Sequence, residues 1–157
     1  MKSRSFSMSP LQTITEANIR AACGETIFER AFQYACSDYI RKRIVSPKIW
    51  QVRAEFEGNY GTYKAGFQPL EGGFIKTWCT CPAEMSFCKH AAALGITYIR
   101  EPDTFFDIDS INEMLNRKSK KELQQLLEQV FDDNPKYLSL LGIEGFEEDD
   151  DDEWDEE

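Results

Sequence analysis

The sequence predicts an α+β fold. N-terminal helices lead into a small antiparallel sheet, which ends in a CxC…CxH cluster with a covering helix. A C-terminal helical extension and a disordered acidic tail follow. Three observations predict this. Tyr39 to Cys79 is rich in aromatic and β-branched residues and lies between two helix-patterned segments. Three of the five cysteines and the single histidine fall between positions 79 and 90. Beyond Pro102 the pattern becomes Leu-rich helix and then, from Glu144, low-complexity acid.

Taken in order, residues 1–12 are Ser-rich and are expected to be disordered. Thr13 with Glu16 three residues later fits a capping box, opening a helix that Gly24 ends near Cys23. Residues 25–37 carry Ile27, Phe28, Ala31, Phe32 and Ala35 at helical spacing. Strands are expected at Tyr39–Ser46, Lys48–Glu57, Tyr60–Phe67 and Gly73–Cys79, with a hairpin turn signal at Glu57-Gly58-Asn59-Tyr60-Gly61. In the second of these, Trp50, Val52, Ala54 and Phe56 alternate with polar residues, as in a half-buried strand. A helix from about Lys89 to Ile99 then covers the sheet. In the extension, Ser119 and Glu122 form a second capping box before Leu123, Leu126, Leu127 and Val130. Asn134-Pro135 opens a last helix carrying Leu138 and Leu141. The domain division is therefore 1–12, 13–101, 102–143 and 144–157.

Cys79, Cys81, Cys88 and His90 carry the chemistry. In extended chain, side chains two apart share a face, so Cys79 and Cys81 can converge on one ion. Pro82 turns the chain, and Cys88 and His90 return at a helix start, where the dipole favours thiolate. Three thiolates and one imidazole form a complete tetrahedral set for Zn²⁺, and a closed set marks a structural rather than a catalytic metal. The competing reading is a chance grouping of buried cysteines and a core histidine. A redox pair would need CxxC, and a zinc deaminase would need His-x-Glu with Pro-Cys-x-x-Cys; neither motif is present.

Cys79-Thr80-Cys81-Pro82 with Phe87-Cys88-Lys89-His90 and the small apolar run Ala91-Ala92-Ala93 resembles the SWIM-type zinc finger. The resemblance is strong over 78–94 and extends loosely over roughly 13–100. It implies zinc binding in the service of DNA or protein interaction, often beside a helicase-like ATPase or a recombination factor. No ATPase or nuclease domain accompanies the motif here, so such activity would come from a partner.

The net charge of −10 is unevenly spread: residues 144–157 hold 11 acidic residues, leaving 17 acidic against 18 basic in the rest. A near-neutral body with basic patches is compatible with nucleic acid. Candidate contacts are Arg41, Lys42, Arg43, Lys48, Arg53, Lys76 and Lys89; the alternative is a solvated sheet face with cross-strand ion pairs. Tyr60, Tyr63, Phe67, Phe74 and Trp78 could stack on bases, but a domain this small needs most of them as core. Cys23 and Cys36 leave no even disulfide framework, which points to a reducing interior, cytoplasmic or, in a eukaryote, nuclear. No apolar run is long enough to span a bilayer, so no membrane contact is expected. No phosphate loop or nucleophile–base set is visible, so neither an enzyme nor a small-molecule substrate is expected. The expected function is a non-enzymatic zinc module for DNA or protein interaction. The alternative is a pure protein adaptor that docks through its C-terminal helices and its tail, in which Phe146 and Trp154 are embedded.

Overall fold

The computed structural model describes residues 8–83 and 85–146. The acidic run with Trp154 lies outside the described residues, as does the start of the Ser-rich N-terminus. The chain forms two compact units, one up to Ser110 and one from Ile111. The first is α+β, as expected.

Three short helices open it: α1 (Pro10–Thr13), α2 (Glu16–Cys23) and α3 (Glu25–Phe32). The cap of α2 is Thr15 rather than Thr13. The Thr15 hydroxyl accepts from the Asn18 amide, and Asn18 Oδ1 accepts from the Thr15 amide at 2.9 Å. The reciprocal box thus works with Asn where Glu was expected, and Glu16 instead pairs with Arg100. Gly24 ends α2 at φ +84, a conformation that strains any residue with a Cβ. Ile27, Phe28 and Ala31 of α3 are buried, but the helix stops at Phe32, short of the expected residue 37.

The sheet has five strands in the order β4-β3-β2-β1-β5. These are β1 (Ile40–Ser46), β2 (Gln51–Gly58), β3 (Gly61–Pro69), β4 (Ile75–Cys79) and β5 (Phe106–Asp107). The first four pair antiparallel, as expected. The two-residue β5 adds a parallel pairing, Ile44 opposite Phe106, which makes the sheet mixed. It also keeps the chain up to Ser110 in the first unit, beyond the boundary expected after residue 101.

Alternation in the strands sorts the residues by face. Ile40, Val45, Val52, Ala54, Phe56, Ala65 and Phe67 point inward and are buried. Against them packs α4 (Lys89–Arg100), through Ala92, Ala93, Leu94 and Ile96. Small residues let α4 lie close: a Cβ at Gly95 would come 2.6 Å from Ile19 Cδ1. Thr97 is fully buried in α4, donates to the Ala93 carbonyl at 2.7 Å and accepts from the Cys36 amide at 2.9 Å. That contact anchors the turn after α3, where Cys36 sits at φ +57. Thr97→Val removes the acceptor and leaves the partly buried Cys36 N–H without its partner. It should destabilise the protein by about 1–3 kcal/mol in denaturant melts.

The second unit contains α5 (Ile111–Asn116), α6 (Lys120–Asp133) and a 3₁₀ turn, Pro135–Leu141, closed by Gly142 at φ +74. Ser119 caps α6 as the sequence predicts, accepting from the Glu122 amide and donating its own amide to Glu122 Oε2 at 2.7 Å. Among the described residues no helix is long and apolar enough to cross a membrane.

Candidate metal centre

The centre forms where β4 runs out and α4 begins. Past Cys79 the chain stays in register with β3 for one more residue. The Thr80 amide donates to the Lys64 carbonyl at 2.9 Å, and Thr80 Oγ1 accepts from the Lys64 amide at 2.9 Å. Cys79 and Cys81 are therefore held two apart in extended chain. A loop follows, steadied by the Thr77 hydroxyl donating to the Ser86 carbonyl. Cys88 is then the N-cap of α4, and His90 lies in its first turn.

Cys79, Cys81, Cys88 and His90 are brought together, their ligand atoms all within 4.8 Å of one another. Cys79 Sγ lies 3.7 Å from His90 Nδ1. A tetrahedral ion with Zn–S of about 2.3 Å and Zn–N of about 2.0–2.1 Å would set these two atoms about 3.6 Å apart. That pair already stands at metal-ligand spacing, and all four donor atoms are close enough to share one ion.

The electrostatics suit thiolate ligands. The Cys81 amide points at Cys79 Sγ at 3.4 Å. The Cys88 thiol is held far below the ordinary cysteine range, first by its hydrogen bond with Cys79. His90 and the amides of His90 and Ala91 add to this, against the cost of burial. Cys79 moves the other way, because it keeps the proton shared with Cys88 and is itself partly buried. A metal cation that displaces that proton lets both sulfurs be anionic.

His90 is walled by aromatic rings, with Phe56 and Tyr63 centroids both at 5.2 Å and Tyr34 at 6.1 Å. These rings come from β2, β3 and the turn after α3, so the ligand set is tied to the sheet on one side and to the helical layer on the other. Beside the cluster opens a cleft of about 570 Å³, walled by Tyr34, Tyr39, Tyr60 and Tyr63. Lys89 reaches into the same region, its Nζ donating to the Tyr34 hydroxyl at 3.2 Å.

The basic residues do not form one cluster. Arg41 and Arg53 stand on the outward face of the sheet, the face away from α4, and Lys42 and Lys76 are exposed beside them. Arg41 pairs with Glu57 at 2.6 Å and Lys42 with Glu55 at 2.8 Å. Lys48 is exposed on the turn between β1 and β2. Arg43 is turned inward by a bulge between Arg41 and Ile44. Its guanidinium meets Glu101, Thr104 and the Ser37 and Ile40 carbonyls, and its side chain is only 14% exposed.

The aromatics divide differently from the sequence expectation. Phe67 is core and Tyr63 is partly buried against it. Tyr60 is 92% exposed, Phe74 73% and Trp78 40%. Lys64 was not singled out in the sequence, yet it faces outward between Glu55 and Cys79's strand. Its place two residues before Gly66 in an alternating strand was the available signal. No family model, curated protein or solved structure matches this chain.

Proposed function

We propose that Cys79, Cys81, Cys88 and His90 hold a structural Zn²⁺, and that the chain is a non-enzymatic binding module of the SWIM type. Its target is nucleic acid, DNA in the first instance, beside a helicase-like or recombination partner. One observation carries the metal role: four protein ligand atoms already converge within 4.8 Å of one another, with the histidine enclosed by rings. Such a set leaves no ligand position for substrate. When bound, the ion would cross-link the end of β4 to the start of α4. The residues around it then fix the sheet against the helix.

The nucleic-acid reading is supported by the exposed Arg41, Lys42 and Lys76 and the half-buried Arg53 on or beside the outward sheet face, with Lys48 exposed on the adjoining turn. A phosphate-contacting protein should lose DNA affinity steeply with salt, by about 0.9 in log–log slope per contact. Titration of a labelled DNA between about 50 and 200 mM salt checks this. An affinity that is absent, or flat with salt, rejects it.

A second reading, a protein adaptor without nucleic-acid contact, is favoured by α6. Leu126, Leu127 and Val130 remain exposed on it. That reading is the one left standing if DNA is not retained.

A further inference from the structure

We infer that the outward face of the sheet binds single-stranded nucleic acid, which lies across the strands with a base stacked on Trp78; this rests on the nucleic-acid reading above. The strand register places one residue from each strand in a single transverse row. Trp78 faces Gly66, Gly66 faces Arg53, Arg53 faces Ile44 and Ile44 faces Phe106. At about 4.8 Å per strand the row is about 19 Å long, enough for a few nucleotides.

Its composition is that of a stacking platform, with an aromatic at each end and an arginine in the middle. Phe106 is 43% exposed, whereas its neighbour Phe105 is turned in and buried against Tyr98. Gly66 is what lays the indole flat: a Cβ there would fall 2.5 Å from Trp78 Cε2 and Nε1. One face of the indole is therefore spent on the glycine backbone, and the other is turned to solvent. A hollow of about 230 Å³ lies between Trp78 and Ile44, rimmed by Lys42, Arg53, Glu55 and Lys64.

Charge selects the occupant. Around this row stand Arg41, Lys42, Arg53, Lys64 and Lys76 against only Glu55 and Glu57. Both carboxylates are already matched, by Lys42 and Arg41. Among the described residues no ion pair engages Arg53, Lys64 or Lys76. Unmatched cations interleaved with a free indole face fit a chain of phosphates and bases. A duplex would hide its base faces from the indole.

The test uses the zinc-loaded full chain and a fluorescein-labelled oligothymidylate of roughly ten nucleotides, within the usual site sizes for such platforms. A labelled duplex of equal length is the comparison. The single strand should bind about tenfold tighter than the duplex. Trp78→Ala should weaken it by about tenfold or more, and Trp78→Phe should keep most of the affinity. Arg53→Gln with Lys64→Gln should lower the salt slope by about two contacts. Melting and zinc content identify a Trp78→Ala protein that has merely unfolded; Trp78→Phe and the charge variant then decide. Binding that prefers duplex, or that ignores both Trp78 and the charge variant, overturns the inference and leaves nucleic-acid binding intact. Binding to neither probe defeats both readings.

Discussion

Cys88→Ala should abolish stoichiometric zinc and unfold the unit up to Ser110. Apparent binding free energies of structural zinc in small domains are about 10–16 kcal/mol, and in such units they are folding free energy. A typical domain has a net stability of only about 5–15 kcal/mol, so the ion can decide whether the fold exists. Cys88 is the sharpest position because it is both proposed ligand and N-cap of α4. Its loss unties the loop and the helix start together, and the ring packing on His90 would follow. Chelator added to the wild type should have the same effect. Zinc measured on purified protein, with thermal melting on the same sample, checks the expectation. A Cys88→Ala protein that melts like the wild type would show that the fold does not depend on the metal.

Arg43→Met should cost on the order of 2–3 kcal/mol, while Lys48→Ala should be nearly silent in stability. The two look alike in sequence, both basic and both near the first hairpin. In the fold they differ in kind. Arg43 ties the carbonyls of Ser37 and Ile40 to Glu101 and Thr104, and its guanidinium lies 5.8 Å from the Phe105 ring centroid. It therefore clips the turn after α3 to the segment after α4. Met keeps much of the stem packing but removes every donor, and carbonyls and a carboxylate lose their partners. Denaturant melts of the two variants check this; equal stabilities would reject the clip.

What the sequence made legible was mostly local. The ligand set spans positions 79 to 90, so spacing alone brings it together. The N-cap placement of Cys88 follows from the Ala-rich run after it. The alternation of Val52, Ala54 and Phe56 identified the inward face correctly. What stayed hidden depends on register and on distant partners. A two-residue strand such as β5 has no periodicity to read, and only its pairing with β1 defines it. The bulge that diverts Arg43 leaves no trace in a run of three basic residues. The turn that follows α3 is held by Thr97, far away in sequence, which accepts from the Cys36 amide. Trp78 reads as core by type, yet Gly66 on the next strand makes room for it outside.

The position of β4 has one more consequence, for solubility. Among the described residues it is the last strand on its side of the sheet, so one row of its amides and carbonyls has no described strand beside it. Such a row is a template on which a second chain can pair. The end of the loop that leads into Cys88 is held to this strand by the Thr77 hydroxyl, which donates to the Ser86 carbonyl. If the proposed ion holds that loop, stripping it should free the loop and bare the strand, so that chelated protein scatters light as it melts. A bound metal would thus guard the molecule against its own copies as well as against unfolding.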